Sequence, residues 1–219
     1  MGNPATITVE ATGTASARPD IARIRLLTFA EDPAPGDALT SCSLLAERVL
    51  AALRTAGVAS SDLETTSIDL NQHQRRDRED AVNMYRASSS LAATVRPPED
   101  AGRIVAAAVE AAGTGVGIND VSFDVDDRGP VTSLARRDAV ARAMSAAAEL
   151  AGAAGLVLGP LLELVEGGGQ RHRFGRAQIM AGPAAASGRP LSSPPVELGE
   201  LSAAVTVTAV FEVVPVGVA

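Results

Sequence analysis

The sequence predicts an α+β fold, a largely antiparallel sheet with about three helices packed on it. Alternation of apolar and polar residues recurs in stretches along the 219 residues, as half-buried strands require. Other stretches space their apolar residues by three and four and end at a glycine, as amphipathic helices do. The strands come mostly in pairs with helices between them, an order that suits helices laid on an antiparallel sheet.

Ile7, Val9 and Ala11 alternate with Thr6, Thr8, Glu10 and Thr12, a strand expected to end at Gly13 and the Arg18-Pro19-Asp20 turn. A second strand from Ile21 to Ala30 completes an opening hairpin, although Arg23 and Arg25 occupy the face later taken by Leu27 and Phe29. Pro33, Pro35 and Gly36 then break the chain. Asp37 is the expected N-cap of a helix carrying Leu45, Val49, Leu53 and Ala56, and Gly57 stands where such a helix stops. Leu63 to Gln72 and Met84 to Val95 read as strands, joined by a solvated tip over the polar run Gln74 to Asp80. Pro97-Pro98-Glu99-Asp100 opens a second helix with Ile104, Val105, Ala108, Val109 and Ala112 facing inward, closed by Gly113.

Val121, Phe123 and Val125 form a further alternating strand. Pro130 starts the longest helix, which reaches Ala154 with an inward stripe of Ala139, Ala143, Ala147, Leu150 and Ala154, and Gly155 ends it. Leu161 to Glu166 is a strand, and Ala203 to Val213 gives the cleanest alternation in the chain. The strand–strand–helix unit recurs loosely in the first half. The expectation is one domain over residues 1–219, interrupted by a long Gly/Pro/Ala-rich loop at 167–197. A loop of that length inside a domain is either functional or without fixed structure.

Composition narrows the chemistry. Hydrophobic residues make up 46% of the chain but aromatics only 2%, so Ala, Val, Leu and Ile must build the core and stacking platforms for bases are scarce. A net charge of −7 argues against a general nucleic-acid binder. Every basic residue is an arginine, which excludes Schiff-base chemistry and a phosphate-loop lysine. With Cys42 alone, no intrachain disulfide and no Cys-rich metal site can form. No apolar run is long enough to span a membrane as a helix. The opening Met1-Gly2-Asn3-Pro4 has neither basic start nor apolar stretch, so the expected location is the cytoplasm, or outside it if a leader has been removed.

Several blocks carry a family resemblance. Ile7 to Gly13 followed by Pro19-Asp20, Gly57-Val58 before Asp62 to Thr65, and Tyr85-Arg86-Ala87-Ser88 are the first three. Two later blocks are more specific: Arg137 to Ala143 running on to Gly155 and Leu158-Gly159, and Pro195 to Leu201 leading into Val205-Thr206-Val207. In order and spacing they resemble the SIMPL-domain family over nearly the whole chain apart from the 167–197 loop. The resemblance implies an α+β domain, a large hollow homo-oligomer and, for some members, a link to the cell envelope or stress tolerance. The family's founding animal member is an adaptor that associates with a signalling kinase. The resemblance supplies no catalytic motif, and hence no catalytic, cofactor or metal residue.

The residues themselves offer few sites. His73 and His172 could hold a metal with Asp69 or Asp77, but their arginine-rich surroundings disfavour a cation, and exposed loop histidines are expected. Cys42 near a helix start could have a lowered pKa, against the plainer reading of a small half-buried residue. Asp124, Asp126 and Asp127 could ligate a divalent ion, yet lack EF-hand spacing and read as a solvated strand end. The glycines at 113–117 and 167–169 read as turns. Of two arginine-rich tips, Arg75-Arg76-Asp77-Arg78 is balanced by neighbouring acids, whereas Arg171, Arg173 and Arg176 have none nearby. The expected function is therefore a non-enzymatic protein that assembles with itself through sheet edges and the long loop. The alternative is a module that binds an anionic partner through Arg171, Arg173 and Arg176.

Overall fold

The computed structural model describes residues 5–77, 80–167 and 198–215. The fold is α+β, with seven strands and three α-helices among the described residues. The strands divide between two sheets, and every pairing is antiparallel. The chain groups into two compact units.

The first unit contains β1 (Thr6–Ala17), α3 (Gly129–Ala153), β6 (Leu156–Glu166) and β7 (Leu201–Pro215), with sheet order β1-β7-β6. The alternation of β7 turns Ala203, Val205, Val207, Ala209, Phe211 and Val213 inward, where they meet α3. That helix buries Val131, Ala135, Ala139, Ala143, Ala147 and Ala151, an unbroken i, i+4 ridge. The expected stripe is corrected at two positions, since Leu150 and Ala154 are exposed. An i, i+4 ridge slants across the helix axis, and Leu150 lies one residue off it.

Alanine on the ridge lets the helix backbone approach the sheet, and Gly13 lies directly against it. A Cβ on Gly13 would overlap the Ala139 amide nitrogen and the Ala135 carbonyl oxygen. The glycine therefore marks helix contact rather than a strand end, and β1 continues to Ala17.

The second unit holds β2 (Ile21–Asp32), α1 (Pro35–Thr55), β3 (Leu63–Asp77), β4 (Asp80–Val95), α2 (Ala101–Ala112) and β5 (Val116–Asp124). Its sheet order is β3-β4-β2-β5. Ala22, Ile24 and Leu26 on β2, Leu91, Ala93 and Val95 on β4, and Phe123 on β5 pack with Val49 and Leu53 of α1 and Ile104 and Val105 of α2.

α1 starts at Pro35 rather than after Asp37, because the Asp32 carboxylate accepts the Ala34 N–H at 2.8 Å and presets the turn into a first-turn proline. Asp37 sits in the first turn, where the helix dipole favours an acid. All three helices end as the glycines foretell, with positive φ at Gly57, Gly113 and Gly155. The β3–β4 hairpin extends further than its polar sequence suggests, pairing to Asp77 and Asp80.

Candidate functional site

The outer face of the second sheet, away from α1 and α2, holds a trough of about 590 Å³. Its origin is a defect shared by the two edge strands. The pairing of β3 with β4 slips by one residue at Thr66, and that of β2 with β5 slips at Asn119. Both slips fall on one row, Thr65–Leu91–Leu26–Ile118. A bulge increases local twist and bends its strand, and two on one row curve the sheet from both edges. The Thr66 hydroxyl donates to the Ser90 carbonyl at 3.2 Å on the β3 side.

The floor is built of small side chains, Ser90, Ala92 and Thr94 of β4, two of them hydroxyl-bearing. Arg23 and Arg25 rise beside it from β2 on the same face. Arg23 approaches Asp124 at 3.6 Å, and Asp62 at the rim pairs with Arg96 at 2.7 Å. The next row reads Glu64–Ala92–Arg25–Asp120 from edge to edge. Glu64 and Arg25 are exposed, and no hydrogen bond or ion pair to a described residue engages either.

A second surface feature is the edge strand β6. Leu161 and Leu164 lie on the side facing α3 yet are each 46% exposed, and Leu162 and Val165 are similarly uncovered. Gly159 and Pro160 sit within an irregularity of this strand, where a residue without an N–H is tolerated. Beyond it the strand is anchored by Arg136 of α3, whose guanidinium grips Glu166 at 2.6 and 3.0 Å. The hydrogen bond from Arg136 holds the Glu166 carboxyl below its ordinary range. The opposite edge, β1, is guarded: the Asp138 carboxylate accepts the Thr14 N–H at 2.8 Å and is bound by Arg142 at 2.9 Å. These bonds, the backbone one foremost, pull the Asp138 carboxyl down.

The residues singled out from sequence are dispersed. Arg171, Arg173, Arg176 and His172 lie outside the described residues, as does the loop at 167–197 beyond Gly167. Arg75 pairs with Val82 inside the β3–β4 hairpin rather than at its tip; Arg78 and the side chains of Arg76 and Asp77 are outside the description. His73 faces Glu31 at 3.6 Å, a carboxylate shared with Arg86 at 3.7 Å, while Asp69 accepts the Ser67 hydroxyl. Asp124 meets Arg23, and Asp127 accepts the Gly129 N–H at 2.8 Å at the start of α3.

The helix-start reading of Cys42 is corrected. Cys42 is 1% exposed, its thiol donates to the Thr28 carbonyl at 3.6 Å, and burial pushes its pKa up. A thiol reagent at neutral pH is expected to label it only in denaturant; labelling within seconds in the folded state would contradict this placement.

Sequence reasoning noted Arg25 only as a break in a strand pattern and gave no site role to it or to Glu64, Thr66 and Asn119. The signal lay in β2, where two arginines break an otherwise apolar face. The bulges leave no such trace, because an extra residue exists only relative to its partner strand.

Two relatives are similar along most of their length. The 26 kDa periplasmic immunogenic proteins of Brucella abortus (strain S19) and of Brucella melitensis biotype 1 are each 31% identical over 221 residues, covering 96% of this chain and 85% of the relative. Their name overturns the expected cytoplasmic location and points to the periplasm. That expectation rested on the first few residues, which are a poor guide to compartment. The family described as SIMPL, protein of unknown function (DUF541), matches residues 7–211, and the chain belongs to that family.

Proposed function

We propose that this chain is a non-enzymatic interaction protein of the periplasm that assembles with itself by joining β6 edges. The relatives' printed name supports the compartment and carries no enzyme activity. The observation that carries the self-assembly is the contrast between the two edges of the first sheet. β1 has an edge N–H covered by Asp138, whereas β6 presents leucines on an uncovered margin. An open strand edge with apolar side chains must be managed, and pairing with an identical edge is one way to do so. Two β6 strands meeting antiparallel would continue the sheet and place Leu161 and Leu164 of each copy against the other.

Absolute mass by light scattering after size exclusion tests this. The expected result is a discrete multiple of 22.2 kDa, reduced to the monomer by the double variant Leu161→Lys, Leu164→Lys with an unchanged circular dichroism spectrum. A wild-type monomer, or a variant that keeps the assembled mass, would overturn the proposal.

A further inference from the structure

We propose that the trough on the second sheet binds a small zwitterion, an amino acid or short peptide with free termini. Its carboxylate would be held by Arg25 and its ammonium by Glu64. The charge pattern selects this class. Glu64 and Arg25 stand on one row of one face with only Ala92 between them, and neither has a partner among the described residues. A ligand of one sign would meet attraction at one of these groups and repulsion at the other, at distances where exposed charges are felt. A dipolar ligand is complementary to both.

Size agrees with charge. Two strand spacings put the Glu64 and Arg25 backbones about 10 Å apart, and an extended dipeptide spans about 7 Å. The methyl of Ala92 leaves the space between them open, and Ser90 and Thr94 offer hydroxyls on either side of it along β4. The trough volume of about 590 Å³ falls in the range typical of small-ligand sites. Planar, two-pronged donation suits arginine to a carboxylate. Asp120, opposite Arg25 on β5, is an acid positioned to compete for that guanidinium.

Titration calorimetry of the full chain with glycylglycine, N-acetylglycylglycine and glycylglycinamide tests the assignment. Glycylglycine is expected to bind saturably, and each capped form about two- to fivefold more weakly, as loss of one solvent-exposed ion pair implies. Arg25→Gln and Glu64→Gln should each weaken glycylglycine by a similar factor. Both side chains are exposed, so unchanged thermal midpoints will show that the fold is intact. Asp120→Asn should tighten binding by removing a carboxylate that competes with the ligand for Arg25. The proposal is overturned by no saturation up to about 10 mM, by equal binding of either capped form, or by indifference to both charge-removing variants. Weaker binding by Asp120→Asn would overturn the assigned orientation. None of these outcomes depends on the oligomeric state, so this inference and the β6 assembly can fail separately.

Discussion

Gly13→Ala is expected to destabilise the first unit severely. The added methyl would fall on backbone atoms of α3, the Ala139 nitrogen and the Ala135 carbonyl oxygen, so no rotamer change relieves it. Either the helix lifts from the sheet or β1 leaves its register with β7. Lifting the helix opens gaps along the whole alanine ridge, because short side chains cannot follow. Overpacking in an adaptable core costs about 1–3 kcal/mol, and a clash with backbone should reach or exceed the top of that range. Small proteins hold only about 5–15 kcal/mol in total. Urea unfolding followed by circular dichroism would register the loss as a lower midpoint. Gly152→Ala on the same helix is the control, since a Cβ there meets nothing within 4 Å. It should be neutral or stabilise by less than about 1 kcal/mol, because Gly152 lies in the last turn of α3. Equal midpoints for Gly13→Ala and the wild type would refute the close approach.

Leu26→Ala should produce the largest loss in the second unit. Leu26 is 1% exposed and pairs across the strands with Leu91, also 1% exposed, on the row where both bulges occur. Truncating a buried leucine costs about 2–5 kcal/mol, the upper end applying where neighbours cannot close the cavity. Here they are held by four paired strands and two helices, so the upper half of the range is expected. Removing this side chain should also relax the curvature above it, so glycylglycine binding should weaken even though Leu26 carries no charge. A midpoint shift equivalent to less than about 1 kcal/mol would show that the row is loosely packed.

Much of this architecture was readable in the residues. Helix ends were legible at Gly57, Gly113 and Gly155, because positive φ restricts residue choice so strongly. The alternation in β7 announced a half-buried strand, and burial follows it almost residue by residue. Other features depend on a partner and left weaker marks. β6 begins at Leu156, five residues earlier than its pattern suggested, because an edge strand with leucines on both faces lacks a two-residue period. Gly113 to Gly117 read as a turn, yet Val116 and Gly117 already belong to β5. The division into two sheets was hidden for the same reason, since strand pairing over long separations is not written in either strand alone. Of the candidate trough, only the misplaced arginines were visible beforehand.

The pairing of β1 with β7 also orders events in time. Thr12 and Thr206, whose hydroxyls meet at 2.9 Å, are 194 residues apart in sequence, and β1 has no other strand partner among the described residues. During synthesis β1 must therefore wait until Leu201–Pro215 has been made. The elements β2 to β5 with α1 and α2 come from the uninterrupted stretch Ile21–Asp124 and need no such delay. Contacts closed over such long loops are slow to form, so the first unit should set the pace of maturation. A chain truncated before β7 would retain an intact second unit and an N-terminal strand with nowhere to go.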